Sequence, residues 1–155
     1  MSFQIHALPA ETFAPLFALP DEELRARDIR SVVADGRPMY PCRVSLQDAA
    51  EGERMLLLPY DHHRVATPYR ASGPVYVREA ATQALPAIDE VPALLHTRLL
   101  SLRAYDARGM MVSADVAPGT EVESAIAALF AIERTAHLHI HYAKPGCYAC
   151  RVERA

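Results

Sequence analysis

Short strand-like segments joined by tight turns constrain this chain more than any other feature of its sequence. In the C-terminal half, two pairs of such segments surround "DARG" and "KPG", which are typical turn sequences. Earlier strand-like segments are "FQIHAL", "RSVVAD", "CRVSL", "RMLLLPY" and "VYVRE". Connections this short favour antiparallel pairing, because parallel neighbours need a crossover of about a dozen residues or more.

One longer helix is predicted in "TEVESAIAALFAIE". Thr120 and Glu123 have the spacing of a capping box, and an apolar stripe follows them at helical spacing. This helix lies between two strands and is the candidate for a crossover. Shorter helices are predicted in "AETFAPLFAL", "PDEELRAR" and "DEVPALLHT", the last with Asp89 as its N-cap. The expected fold is α+β, a single domain over residues 1–155 with a twisted, mixed and mostly antiparallel sheet covered by a few helices.

Composition restricts the classes of function. The 155 residues carry a net charge of −3, and Lys and Arg are scattered singly. Nucleic-acid-binding domains carry a basic patch or stripe, so no nucleic acid partner is expected. No apolar run approaches the roughly 18 residues of a membrane helix, and "MSFQIHALPAETF" lacks the pattern of a secretory signal. Three cysteines form no disulfide framework, which favours a reducing, cytoplasmic location.

The segment "HLHIHYAKPGCYACR" raises the question of a metal site. Alternate residues of a strand share one face, so His137, His139 and His141 line one side and apolar residues the other. The simplest interpretation buries the apolar side and leaves the histidines as a half-solvated face. The alternative is a metal site, with zinc as the metal considered, formed by His139, His141 and Cys150.

The length of the turn before the cysteines decides between these alternatives. A turn of two or four residues places Cys150 on the histidine face, whereas a three-residue turn pairs it with Ile140 on the other face. Cys147 and Cys150 alternate to opposite faces of an extended strand, so both reach one ion only if Cys147 belongs to the turn. A redox role is less favoured, because no helix follows the CxxC pair to stabilise a thiolate.

A second candidate site lies in "DHHRVATPYRASGP", which has no regular period. Long irregular loops in compact domains are often functional. Arginine forks suit carboxylates and phosphates, and tyrosine offers a stacking face. The predicted ligand is a small anionic molecule, with the alternative that this is a solvated loop held by Arg–Glu pairs. The predicted contact residues are Arg43, Tyr69, Arg70, Ser72 and Arg78.

Several common reaction classes are disfavoured by missing motifs. The six glycines are too widely spaced for a dinucleotide-binding GxGxxG or a P-loop. The chain also lacks the GxSxG elbow of α/β-hydrolases and the HExxH metalloprotease motif. The lack of a recognisable nucleophile and base also leaves open a third hypothesis, a non-enzymatic interaction module.

Three segments of the chain resemble a bacterial family, the domain of unknown function numbered 1203. They are "YPCRVSLQDAAEGERMLLLPY", "PYRASGPVYVRE" and "HLHIHYAKPGCYACRV", and the second is the most family-specific. The resemblance runs through nearly the whole chain and implies one domain. It implies no activity, cofactor or catalytic residue, so the chemistry rests on the residues themselves.

Overall fold

Eight strands form two separate antiparallel sheets in the computed structural model, which describes residues 1–155. The strands are β1 (Phe3–His6), β2 (Arg30–Val33), β3 (Arg54–His63), β4 (Ala71–Arg78), β5 (Leu99–Tyr105), β6 (Met111–Pro118), β7 (His137–Tyr142) and β8 (Tyr148–Arg154). The helices are α1 (Ala10–Phe13), α2 (Asp21–Ala26), α3 (Ala93–His96) and α4 (Val122–Phe130), with 3-10 turns at Ala14–Ala18 and Gly119–Glu121. No helix is long and apolar enough to cross a bilayer.

The larger sheet has the strand order β1-β8-β7-β5-β6. Helix α4 connects β6 to β7, which lie on either side of β5 and are each antiparallel to it. The buried face of α4 includes Ile126 and Phe130, which join one apolar cluster with Leu138 and Ile140 of β7. One side of the larger sheet is therefore closed by α4, as its apolar stripe predicts.

The smaller sheet has the order β2-β3-β4 and a core of its own. Met55 and Leu56 of β3 belong to a second apolar cluster together with Phe13 of α1 and Leu24 of α2. Tyr148, the first residue of β8, is also a member of this cluster. The smaller sheet therefore reaches the larger one close to the turn between β7 and β8.

The α+β prediction is confirmed, but the single mixed sheet is wrong. Two sheets form instead, and every strand ladder in them is antiparallel. The segment "CRVSL" is not a strand, because the Leu46 amide closes a tight turn onto the carbonyl of Cys42. Helix α4 covers one face of the larger sheet, and the histidines of β7 lie on the other face.

Two predicted helix caps are also wrong. Glu121, the last residue of a 3-10 turn, is the N-cap residue of α4. The Glu123 carboxylate lies 3.0 Å from Nε2 of His96 instead of capping the helix. Asp89 is too far from α3, which begins at Ala93, and its carboxylate accepts a hydrogen bond from the backbone of Phe3 at 2.9 Å. Both carboxylates serve tertiary contacts that residue spacing along the chain cannot reveal.

Candidate functional site

The three histidines of β7 are buried, not half-solvated as predicted. His139 and His141 are each 1% exposed and His137 is 8% exposed. The apolar side of β7 is also buried, so all six residues of the strand are inaccessible on both faces. A second layer of protein must therefore cover the histidine face.

Strand β3 of the smaller sheet supplies that layer with His62 and His63. Successive residues of a regular strand point to opposite faces, so two adjacent histidines cannot both face the same sheet without a distortion. The pairing of β3 with β4 shifts its register between Tyr60 and His63, which marks such an irregularity. The last two residues of β3 thereby both contact the rings of β7.

The five histidines form two groups of three that share His139. The first group is His62, His139 and His141, and the second is His63, His137 and His139. Within each group one ring nitrogen per residue lies within 4.8 Å of the other two. Ring centroids are 5.0 Å apart for His62 and His141, and 5.0 Å apart for His63 and His139. Imidazole is the most frequent side-chain ligand of metal ions in proteins, so this arrangement is a candidate metal centre.

Four buried ring nitrogens of the cluster have no hydrogen-bond partner. They are Nδ1 of His62, Nε2 of His137, Nδ1 of His139 and Nε2 of His141. Buried polar atoms are almost always satisfied, because an unpaired one costs on the order of 1–3 kcal/mol. Four unpaired buried nitrogens so close together are therefore unusual for a purely structural core.

Backbone carbonyls orient two of the rings. Nδ1 of His141 lies 3.0 Å from the carbonyl of Gly146, and Nε2 of His63 lies 3.0 Å from the carbonyl of Gly109. A carbonyl only accepts hydrogen bonds, so each of these nitrogens carries the proton and donates it. The other nitrogen of each ring is left with a free lone pair, which is how metal-binding histidines are usually oriented.

Burial keeps the imidazoles of His62, His137, His139 and His141 uncharged at neutral pH. Desolvation lowers the pKa of His62 and of His137 to about 4, and that of His141 to about 3. The pKa of His139, at the centre of the cluster, falls to about 2 for the same reason, with further lowering by the neighbouring histidines. Only a neutral imidazole offers a lone pair, so the protonation state is already the one that a metal requires.

Two tyrosines stack against the histidines. The ring of Tyr148 is parallel to that of His62 to within 10°, at 5.1 Å, and the ring of Tyr105 stacks on His137 at 5.4 Å. Desolvation raises the pKa of both phenols, so neither is ionised at neutral pH. The tyrosines therefore surround the cluster with uncharged aromatic surface.

Cys150 does not join the histidines, so this part of the predicted ligand set is wrong. The turn has the even length that the metal hypothesis required, since the backbone N–H of Tyr142 donates to the carbonyl of Cys147 and His141 faces Tyr148. A bulge then follows at Ala149, and Cys150 pairs with Ile140 in the apolar cluster. Burial raises the pKa of the Cys150 thiol to about 12, which keeps it protonated.

The predicted anion-binding residues do not converge. Arg43 is buried, and its guanidinium donates to the carbonyls of Tyr148 and Pro41 and to the sulfur of Cys147. Arg78 forms an ion pair with Glu53 at 2.6 Å. Both guanidiniums are therefore already occupied by the protein itself.

Arg70, from the predicted anion set, lines a cavity. This open cavity of about 410 Å³ is also lined by Asp61, Arg64, Val65 and Ala66. Tyr69 and Ser72 are exposed but do not line it. The irregular segment is shorter than predicted, because β3 extends to His63 and β4 begins at Ala71.

His62 and His63 are the ligand candidates that sequence reasoning missed. Both lie in the segment predicted to be irregular, and the prediction does not connect that segment to β7. A doubled histidine at the end of an apolar strand and a strand with three alternate histidines are the two signals present in the sequence. Nothing local to either segment indicates that the two strands meet.

The fold and the histidine cluster together define an α+β protein with two antiparallel sheets and a buried set of imidazoles between them. A family model described as a protein of unknown function, DUF1203, matches residues 39–154, a range that contains all five histidines. The chain belongs to this family. No curated protein and no solved structure matches the chain.

Proposed function

We propose that this protein binds a transition-metal ion through His62, His139 and His141. The observation that carries the proposal is the set of buried ring nitrogens with no hydrogen-bond partner, of which this group contributes three. A bound ion would satisfy these nitrogens in the way that hydrogen bonds satisfy other buried polar atoms. The carbonyl of Gly146 supports the proposal, because it orients His141 with its free nitrogen available.

The chemistry of the donors favours zinc, copper, nickel or iron over magnesium and calcium. Both groups of three consist of histidines alone, without a carboxylate or a thiolate. Imidazole suits the late first-row metals, whereas magnesium and calcium prefer oxygen ligands. Three imidazoles also leave one position of a tetrahedral ion free for water or another small ligand.

Metal binding is tested by titrating protein purified without a histidine tag. After chelator treatment, wild type is expected to bind zinc or copper, and His141→Ala to lose the ion held by this group, since even changing a residue that only hydrogen-bonds to a ligand lowers metal affinity about 10–100-fold. His96→Ala is the matched control, because His96 is a partly exposed histidine paired with Glu123 outside the cluster. No binding by wild type, or equal binding by wild type and His141→Ala, would contradict the proposal.

A second candidate function is the binding of a small anion beside the cluster, at Arg64 and Arg70. It is favoured by the open cavity that both arginines line, where the only acid is Asp61, 3.4 Å from Arg64. Inorganic phosphate should raise the melting temperature of wild type more than that of Arg70→Ala. Arg27→Ala, on the exposed surface of the chain, is the control. Equal shifts in all three proteins would rule this function out.

A further inference from the structure

His139 occupies a special place among the five histidines. It is the one residue common to both groups, and the other four divide into the pair His62 and His141 and the pair His63 and His137. The centroid of the His139 ring is 6.0 Å from that of His62 and 5.0 Å from that of His63. An imidazole ring has two nitrogens that point in divergent directions, so one ring is able to serve two ions.

We propose that the cluster holds two metal ions, with the ring of His139 as the bridge between them. The first ion is the one proposed above, and the inference rests on that function. The second ion would be held by His63, His137 and the other nitrogen of His139. Because neutral imidazole carries one N–H, binding of the second ion releases that proton to solvent and leaves His139 as an imidazolate bonded to both ions.

The second group has the same features as the first. His63 and His137 are buried, and Nε2 of His137 has no hydrogen-bond partner. His63 donates to the carbonyl of Gly109, just as His141 donates to that of Gly146 in the first group. Each group therefore contains one ring fixed by a backbone carbonyl and at least one buried nitrogen without a partner.

A carboxylate and an arginine that form an ion pair lie beside the second group. Glu153 of β8 is the cross-strand neighbour of His137, so the two side chains share one face of the sheet. Glu153 also contacts Arg151 at 2.7 Å and His6 at 3.5 Å. A deprotonated bridge contributes a negative charge between the ions, where their mutual repulsion is strongest.

The number of ions per chain tests the inference in copper-loaded protein. Wild type is expected to bind two copper(II) ions per chain, while His62→Ala and His63→Ala each bind one. His96→Ala serves as the control and should bind two. Two ions in wild type and in His63→Ala alike would overturn the shared-ligand arrangement, and one ion in wild type would overturn the second site while leaving the first intact. Zero ions in wild type would instead overturn the proposed function itself.

Electron paramagnetic resonance tests the bridge in wild type alone, so it does not depend on the folding of any variant. An imidazolate couples the spins of two copper(II) ions, and the integrated signal at low temperature is then expected to fall well below the copper content. An uncoupled signal that accounts for all the bound copper would overturn the bridge. His63→Ala, which retains only the first group, should give the uncoupled signal of a single copper ion.

Discussion

At the scale of single residues, the cluster combines neutral imidazoles with a deficit of hydrogen bonds. Desolvation lowers the pKa of four histidines, and that of His139 falls furthest, to about 2. The same burial leaves four ring nitrogens without a partner. A histidine core of this kind is costly for the metal-free protein, and the cost grows when the solution becomes acidic.

The stability of the metal-free protein is therefore expected to fall steeply below pH 6.5. In the unfolded chain the histidines titrate near their ordinary pKa of about 6.5. In the folded protein the pKa values of His62 and His137 are lowered to about 4. Above pH 6.5 both states are neutral and stability is fully present. As pH falls from 6.5 to 4, only the unfolded chain takes up protons, which costs about 1.4 kcal/mol per pH unit for each such histidine.

Urea unfolding at a series of pH values, with a chelator present, measures this loss. His139→Gln should have a shallower pH dependence than wild type, because one of the depressed histidines is gone. The same free energy of unfolding at pH 7 and pH 5 in wild type would contradict the buried neutral cluster.

Gly109 is a second residue on which the cluster depends. Its φ is +82°, and an added Cβ would lie 2.5 Å from Cγ1 of Val65. Gly109→Ala should therefore cost about 2–4 kcal/mol, from the left-handed backbone together with the clash, and weaken metal binding through His63. Gly52→Ala is the matched control, because φ is +84° there but no atom lies within 4 Å of the added Cβ.

Chemical denaturation of the two glycine variants measures the difference. Gly52→Ala should lose only the backbone term, on the order of 1–2 kcal/mol. If both variants lose the same free energy of unfolding, the contact between Gly109 and Val65 does not constrain the turn that orients His63.

At the scale of elements, the strands follow from sequence patterns but the environment of β7 does not. Alternation correctly places His137, His139 and His141 on one face, since they pair with Tyr105, Arg103 and Ser101 of β5 in an unbroken register. The polar character of that face predicted contact with water. The face is buried because β3 lies over it, and that contact joins residues about 75 positions apart in the sequence.

The position of Cys150 shows a second limit of pattern reasoning. The turn from Ala143 to Gly146 has four residues, a length that by itself would place Cys150 among the histidines. The bulge after Tyr148 turns the Cys150 side chain to the opposite face instead. A single extra residue moves every later side chain of a strand to the other face. Turn length alone therefore did not determine the ligand set.

At the scale of the whole molecule, the two sheets are joined by buried polar groups as well as by apolar packing. Arg43 lies in the turn before β3, and its guanidinium bonds to the backbone of Tyr148 at the start of β8 and of Pro41 within its own turn. Its plane also lies near the ring of Tyr142, 5.1 Å from the ring centroid. The sequence predicted a ligand contact for this residue, whereas its bonds connect parts of the fold.

Arg43→Lys is expected to lower the free energy of unfolding by about 3 kcal/mol, because an ammonium cannot reproduce the guanidinium's three bonds. Equilibrium unfolding in urea measures the change. Arg70→Lys is the control, since Arg70 is exposed and should change stability by less than about 0.5 kcal/mol. Equal stability of Arg43→Lys and wild type would show that the buried arginine does not hold the two sheets together.

The central claim is that the histidines between the sheets bind metal. The most direct measurement is an anomalous difference map from a crystal of zinc-loaded protein, collected at the zinc absorption edge. The expected result is a peak about 2.0–2.1 Å from ring nitrogens of His62, His139 and His141, the usual zinc–imidazole distance. Zinc bound only at surface residues, with the cluster empty in fully loaded protein, would contradict the claim.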